Sequence, residues 1–180
     1  MPLGSTDLPD GAGVYAIYYC GTFPAYAVVR CDTDPAADAQ PIYVGKAIPK
    51  GGRKGGLGLN AAQSSALRNR LRKHAASINE CRNLELADFR VRLLVVDDIW
   101  IPPGENILID SYKPVWNLAL DGFGKIDPGT RRKTQFRSPW DVVHPGRAFA
   151  EKLAMSPASH GFLLARIGDF LAGRPLQALP

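Results

Sequence analysis

The segment from Ser65 to Glu80 (SALRNRLRKHAASINE) constrains the fold most strongly, because it has the period of an amphipathic helix. At about 100° per residue, four apolar side chains fall on one stripe of this helix: Leu67, Leu71, Ala75 and Ile78. Arg70 and His74, four residues apart, lie one turn apart along an edge of that stripe, where they can reach into a cleft without being fully buried. Taken alone, this pair is more typical of a solvated basic helix surface. The rest of the chain reverses that preference.

Length, composition and cysteine content limit the class of protein. The chain has 180 residues, 46% of them hydrophobic and 22% charged, which is typical of one soluble globular domain spanning 1–180. Its three cysteines form no C-x-x-C pair and show no zinc-ligand spacing with histidine, so we expect free thiols in a reducing cytoplasm. The sequence has no apolar run of about 18 residues and no signal-peptide pattern. A cytoplasmic protein without a membrane segment is expected.

The distribution of charge is more informative than the net charge of +5. Residues 46–73 contain eight cations and no Asp or Glu: Lys46, Lys50, Arg53, Lys54, Arg68, Arg70, Arg72 and Lys73. Residues 125–137 contain five cations against one acid, Asp127: Lys125, Arg131, Arg132, Lys133 and Arg137. Such clusters suit a polyanion such as nucleic acid. For the first cluster, a merely solubilising surface is the weaker interpretation.

Three segments rich in β-branched and aromatic residues predict a small sheet. They are Gly13–Cys20 (GVYAIYYC), Ile42–Ala47 (IYVGKA) and Phe89–Val96 (FRVRLLVV). We expect the first two to pair antiparallel and the strongly apolar third to be buried. Residues 25–31 fit either a short strand or a helical turn. Residues 1–12, rich in Pro and Gly, are expected to be loose.

The loop from Pro49 to Asn60 (PKGGRKGGLGLN) carries five glycines and three cations, which predicts a mobile basic segment. It lacks the G-x-x-x-x-G-K-[ST] spacing of a P-loop. We therefore expect it to contact a nucleic-acid backbone and to become ordered on binding.

Prolines mark the limits of a later helix, with Pro102 and Pro103 at its start and Pro114 beyond its end. Glu105 lies on the apolar face of this helix, in the first turn. The helix dipole there favours an anion and is the commoner explanation for a lone carboxylate, and a bound cation is the alternative. Two more helices are expected after Arg147, and the second of them, over 161–172, is expected to pack on the core.

The order of these motifs resembles that of the GIY-YIG nuclease superfamily. Gly13-Val14-Tyr15 and Tyr43-Val44-Gly45 match its two triplets, each with Val where the family name has Ile. Four residues match its remaining active-site positions in order: Arg70, His74, Glu105 and Asn117. Either triplet alone is a weak signal, whereas six positions in order with suitable spacing are a strong one.

Three further segments resemble the type II restriction endonuclease branch of that superfamily: Leu93–Glu105, Asp121–Gly124 (DGFG) and Ser138–Arg147 (SPWDVVHPGR). The resemblance covers about residues 11–147. It implies an α+β fold in which a small central antiparallel sheet is flanked by helices. Residues 148–180 would then form a helical C-terminal extension.

The resemblance implies metal-dependent hydrolysis of phosphodiester bonds in double-stranded DNA at a specific sequence. Glu105 would hold one Mg²⁺, a hard cation that suits carboxylate and phosphate oxygens. Arg70 would bind the scissile phosphate, which its planar fork of donors matches. Asn117 would orient the site by hydrogen bonding. Lys46, next to the second triplet, would support catalysis or contact a further phosphate.

A tyrosine is the expected general base. We favour Tyr15, with Tyr43 and His74 positioning water and phosphate, and the alternative exchanges the roles of the two tyrosines. Because a tyrosine with the ordinary pKa of about 10 is a poor base at neutral pH, this role requires positive charge nearby. Lys46, Arg70 and the metal are the candidates.

The basic segments are expected to bind the DNA. Backbone contacts are predicted for five residues: Lys50, Arg53, Lys54, Arg68 and Arg72. Base reading is predicted for three arginines that can pair with guanine: Arg131, Arg132 and Arg137. At least some of them would contact phosphate instead. A palindromic site cut by one active site per strand is matched most simply by a homodimer.

Two alternatives stay open at the level of the sequence. One is another GIY-YIG nuclease of homing or repair type, but such enzymes usually carry a separate additional module, for which 180 residues leave little room. The other is a DNA-binding protein that has kept the fold and lost catalysis. The presence of all six site residues argues against it.

Overall fold

A three-stranded antiparallel sheet forms the centre of the molecule, whose computed structural model describes residues 1–32, 35–36, 38–49, 64–125 and 135–180. The strands lie in the order β2-β1-β3, with β1 at Gly13–Tyr19, β2 at Tyr43–Ala47 and β3 at Phe89–Val95. In the middle strand, Tyr15 lies opposite Gly45 of β2 and Leu93 of β3. The α+β fold with a small central antiparallel sheet is confirmed.

The sheet is a middle layer between two helices. Successive side chains of a strand point to opposite faces, and three from β1 enter the main core together with α1 (Ala66–Asn79): Tyr15, Ile17 and Tyr19. Three others face α2 (Ile101–Tyr112): Val14, Ala16 and Tyr18. Because both of its faces and both of its edges are covered, β1 is buried along its whole length.

The remaining helices close one side of the main core. They are α3 (Val115–Leu118), α4 (Pro139–Val143) and α5 (His160–Leu171). From α5, Leu163 and Ile167 are fully buried in the core, which confirms the expected packing of the last helix. The other helix predicted after Arg147 is only a single 3₁₀ turn, Ala150–Lys152.

The third strand is less buried than its apolar sequence predicted. β3 begins with the buried Phe89 and Val91, but Leu94 and Val95 near its end are exposed. The physical reason is position, because β3 pairs with β1 on one side and forms the outer strand of the sheet.

The N-terminal segment is packed, so the expectation of a loose end was wrong. Leu3 and Leu8 are buried in the main core, and the Leu3 amide donates to the Phe89 carbonyl (3.0 Å). The question left open for residues 25–31 is also answered in part, because a 3₁₀ turn lies at Pro24–Tyr26. None of the helices among the described residues has the length and apolarity needed to cross a membrane.

Candidate active site

A tyrosine from the sheet and a histidine from α1 meet at the centre of the site. The Tyr15 hydroxyl lies 2.7 Å from His74 Nε2. This contact carries one proton, which resides on the hydroxyl in one His74 tautomer and on Nε2 in the other. The pairing follows from local structure, because Tyr15 points from β1 to the same core that receives the apolar stripe of α1.

His74 is more deeply buried than its position at the edge of the stripe predicted. Its side chain is only 1% exposed, because Phe123 covers it with a stacked ring at a centroid distance of 4.5 Å. Burial, followed by the charges of Arg70 and Arg147, holds the pKa of His74 well below its ordinary value. The imidazole is therefore neutral at pH 7.

Arg70 lies beside Tyr15 and His74 and is more exposed than either of them. It lies one helical turn before His74 and is half-buried, and its Nε donates to the Tyr15 hydroxyl (3.3 Å). Burial and the neighbouring Tyr43 raise the pKa of Tyr15 above its ordinary value, and Arg70 offsets only part of that rise. Tyr15 is therefore protonated at pH 7, and the nearby positive charge does not by itself make it a phenolate.

The second triplet contributes Tyr43, and its Gly45 leaves the space that the Tyr15 side chain occupies. The ring of Tyr43 lies 6.3 Å from that of Tyr15 and 5.3 Å from that of His74, between centroids. Burial also raises the pKa of Tyr43, with Arg70 opposing the shift. A Cβ on Gly45 would stand 2.5 Å from the Tyr15 hydroxyl oxygen. A glycine is therefore required wherever Tyr15 takes this position.

Asn117 acts on the backbone of β2. Its Oδ1 accepts from the Val44 amide and its Nδ2 donates to the Val44 carbonyl, both at 2.8 Å. The side chain thus pairs with Val44 as a neighbouring strand would. Since Val44 stands between Tyr43 and Gly45, Asn117 fixes the strand that carries both residues of the site.

Glu105 reaches the site from the first turns of α2. Its Oε2 forms an ion pair with Lys46 Nζ at 2.6 Å, and its side chain is 16% exposed. The charge of Glu105 also raises the pKa of both Tyr15 and Tyr43, so the carboxylate is within electrostatic range of both hydroxyls.

In the part of the chain that the structure describes, the site offers a metal ion one carboxylate, that of Glu105. Among the described residues, no group of three or more His, Cys, Asp or Glu side chains could enclose an ion. A single carboxylate nevertheless fits Mg²⁺, which binds through one or two carboxylates and substrate phosphates and keeps several waters. Glu105 is the residue that would hold it.

A turn that was not predicted to belong to the site, residues 121–124, lies against Arg70 and His74. Gly124 has a φ of +81°, and a Cβ there would stand 2.9 Å from Arg70 Nη2 and 3.0 Å from His74 Cε1. The preceding Phe123 stacks on His74 and meets Tyr43 edge-on at 4.9 Å. The signal for this turn was the DGFG segment, which contributed to the family resemblance but carried no predicted site residue.

A cavity of about 350 Å³ opens beside Arg70 and His74, between α1 and this turn. Four cations and one acid contribute to its lining: Arg70, Lys73, Lys125, Arg147 and Glu80. Two of the cations already have acidic partners, because Lys125 pairs with Asp121 and Arg147 with Asp141.

The predicted DNA contacts have different environments. Arg68 is engaged within the protein, where it donates to the Leu8 carbonyl (3.0 Å) and pairs with Asp10 (2.8 Å). Arg72 is exposed on α1, and Arg137 is half-buried and donates to the Glu151 carbonyl (3.0 Å). Five of the predicted contacts lie outside the described residues: Lys50, Arg53, Lys54, Arg131 and Arg132.

The sheet and the cluster of tyrosines, arginine, histidine and glutamate together define a nuclease domain of the GIY-YIG class. Residues 7–171 match the family described as the Eco29kI GIY-YIG domain. The chain therefore belongs to this family of GIY-YIG restriction endonucleases. The match includes α5, which the resemblance in the sequence had left unassigned. No curated protein matches the chain at a significant level.

Proposed function

We propose that the chain is a type II restriction endonuclease that cleaves double-stranded DNA at a specific, palindromic sequence with Mg²⁺ as cofactor. The observation that carries this proposal is the hydrogen-bonded centre of Tyr15, His74 and Arg70, with the Glu105 carboxylate within electrostatic range. Hydrolysis of a phosphodiester requires an activated water and stabilisation of negative charge on the phosphate. These four side chains supply a proton acceptor, a cation and a metal ligand.

Arg70 binds the scissile phosphate. Its Nε is held by the Tyr15 hydroxyl at 3.3 Å, and its remaining donors match the oxygens of a phosphate. Glu105 would hold the Mg²⁺, and when bound that ion adds Lewis-acid stabilisation of the phosphate. Lys46, paired with Glu105, is placed to support catalysis as a further positive charge.

Tyr15 is the general base, and His74 and Arg70 hold its hydroxyl in position. The raised pKa of Tyr15 means that a free phenolate is scarce at pH 7. Arg70 donates to the Tyr15 hydroxyl and so stabilises the phenolate that takes the proton of the attacking water, and a cation held by Glu105 would add to this stabilisation. His74 stays neutral, because burial and the charges of Arg70 and Arg147 hold its pKa well below the ordinary value, and its Nε2 orients the Tyr15 hydroxyl at 2.7 Å. Tyr43 lies beside this pair and positions the water, while Asn117 holds its strand.

DNA binding falls to the basic surface around the site. Arg72 is exposed on α1, and the cavity beside Arg70 adds Lys73 and Lys125 to that surface. We assign further contacts to residues of the two basic segments: Lys50, Arg53, Lys54, Arg131, Arg132 and Arg137. Arg68 joins the contacts only if it leaves Asp10.

The working form is a homodimer in which each subunit cuts one strand of the palindrome. Analytical ultracentrifugation of the protein on a short duplex containing its site measures the stoichiometry, and two subunits per duplex are expected. One subunit per duplex, with both strands still cut in a single binding event, contradicts the dimer.

Incubation of the purified protein with a long DNA of mixed sequence, with and without Mg²⁺, tests the proposed function. A type II enzyme gives discrete fragments that depend on the metal, and sequencing of their ends defines the site. A smear indicates a nonspecific nuclease, and fragments at one rare, long site indicate a homing enzyme. Binding without any cleavage indicates an inactive DNA-binding protein of the same fold.

A further inference from the structure

Arg147 is a fully buried arginine whose four side-chain hydrogen bonds among the described residues go to one turn and to Asp141, which supports it. Its side chain is 1% exposed, and it pairs with Asp141 through two bonds, Nε to Oδ1 (2.7 Å) and Nη2 to Oδ2 (2.8 Å). Its guanidinium lies over the rings of Trp140 and Phe149, at 4.7 and 4.8 Å from their centroids. A buried charge with this many partners has a fixed position.

The same guanidinium holds both ends of the turn that covers the catalytic residues. Nη2 donates to the Gly122 carbonyl (3.1 Å) and Nη1 donates to the Lys125 carbonyl (2.9 Å). Phe123 and Gly124 lie between these two carbonyls along the chain. Arg147 therefore fixes the segment that stacks on His74 and closes over Arg70.

Asp141, the acidic partner of Arg147, is itself held by hydrogen bonds. The Ser138 hydroxyl donates to Asp141 Oδ2 (2.7 Å), and the Trp140 amide donates to the Asp121 carbonyl (3.0 Å). Gly122 has a φ of +124°, and a Cβ on it would stand 2.0 Å from Ser138 Oγ. The DGFG and SPWDVVHPGR segments are thus parts of one hydrogen-bonded unit.

We propose that Arg147 is a positioning residue for cleavage, which sets the location of His74 and Arg70 by clamping the turn over them. It touches neither the reacting phosphate nor the attacking water in this assignment. The proposal rests on the proposed function, since the side chains that it positions are those assigned to the reaction. A displacement of about 1 Å in such side chains lowers a rate by about a hundredfold.

The double variant Arg147→Met/Asp141→Asn tests the clamp without leaving a buried charge unpaired, and Asn at 141 can still accept from Ser138. We expect the single-turnover cleavage rate to fall by about 10- to 100-fold, with the dissociation constant for DNA changing less than about threefold. Arg166→Met is the matched control, because Arg166 also donates to a backbone carbonyl, that of Ala119 (3.0 Å), outside the turn. The control should cleave at the wild-type rate.

A second readout does not depend on cleavage. The ring of Phe123 shifts the NMR signal of His74 Hε1, and in the double variant this signal should move toward that of an unstacked histidine. An unchanged signal overturns the clamp, even if the wild-type protein proves not to cut DNA. A changed signal with an unchanged cleavage rate overturns the positioning role.

Arg147→Lys separates charge from geometry. A lysine keeps the positive charge but has a single ammonium group, which cannot span Asp141 and both carbonyls of the turn. We expect this variant to show most of the loss seen in the double variant. Full activity in Arg147→Lys would mean that charge alone suffices, and would overturn the clamp.

Discussion

The ammonium group of Lys46 lies 2.6 Å from the carboxylate of Glu105, so the protein itself neutralises the side chain that we assign to the metal. Lys46 comes from β2 and Glu105 from α2, which packs against that strand. A cation that binds Glu105 must compete with this ion pair. The pairing therefore couples metal affinity to the position of a lysine that stands next to the second triplet.

Lys46→Met should increase the affinity of the free protein for a divalent cation. An ion pair that is only partly exposed is worth roughly 1 kcal/mol, so the loss of Lys46 should lower the dissociation constant of Mn²⁺ by up to about fivefold. Electron paramagnetic resonance of free Mn²⁺ measures this without DNA. Lys152→Met, on the exposed surface, is the control. Unchanged or weaker Mn²⁺ binding in Lys46→Met would show that the lysine does not compete.

Glu105→Gln should remove Mn²⁺ binding and lower the cleavage rate on the order of a thousandfold, because the metal supplies several kcal/mol of stabilisation. DNA binding should persist, since the basic surface is unchanged. Gel-shift titrations and single-turnover cleavage measure the two effects separately. Glu151→Gln is the matched control, in which an exposed ion pair with Arg82 is lost away from the site. Cleavage near the wild-type rate in Glu105→Gln would remove this residue from the site.

Gly45→Ala should fold but cleave DNA slowly. The added Cβ would lie 2.5 Å from the Tyr15 hydroxyl oxygen, so Tyr15 must move away from His74. A displacement of the Tyr15 hydroxyl by about 1 Å should lower the cleavage rate by about a hundredfold. Gly168→Ala is the control, because the added methyl group there meets no described atom within 4 Å outside the neighbouring residues and backbone of its own helix. It should cleave normally and be up to about 1 kcal/mol more stable, as expected for alanine in a helix.

The sequence predicted the elements that bring the site together, because these depend on local periodicity. Two local patterns, the β-rich run of β1 and the apolar stripe of α1, predicted the strand and the helix whose Tyr15 and His74 meet in the structure. The depth of His74 did not follow from them. Its burial depends on Phe123, which stacks on it from a turn far along the chain.

The parts that could not be predicted are long-range polar contacts. The pairing of Asn117 with Val44 spans 73 residues, and the bond from Arg147 to the Gly122 carbonyl spans 25. Composition likewise could not reveal that Arg68 is held by Asp10 within the protein. An arginine has the same sequence signal whether its partner is a phosphate, a carboxylate or a carbonyl.

Acid should destabilise the fold through its buried histidines. Burial lowers the pKa of His144 to about 3, and its ring bonds the hydroxyl of Tyr26 (2.6 Å). The unfolded chain binds a proton at about pH 6.5, whereas the folded chain does not. The stability that the fold gains from neutral His144 is therefore complete above pH 6.5 and is lost as the pH falls toward 3.

At pH 5 the loss from His144 should be about 2 kcal/mol relative to pH 7.5. Urea unfolding of the wild type and of His144→Gln at both pH values measures this loss. The quantity compared is the change in unfolding free energy between the two pH values, so a pH-independent effect of the substitution cancels. The variant should lose about 2 kcal/mol less than the wild type on acidification. Equal losses would show that His144 titrates alike in the folded and unfolded states.

Tyr15→Phe should slow cleavage by about 10²- to 10⁴-fold, the usual worth of a general base, while DNA binding and the melting temperature change little. The reason is geometric, because among the described residues only the Tyr15 hydroxyl is hydrogen-bonded to both His74 Nε2 and Arg70 Nε. Tyr43→Phe, which keeps that pair, is the matched variant and should lose less. Single-turnover rates of both variants at saturating Mg²⁺ decide between the tyrosines. A larger loss in Tyr43→Phe than in Tyr15→Phe would transfer the role of base to Tyr43 and leave Tyr15 as the residue that positions the water.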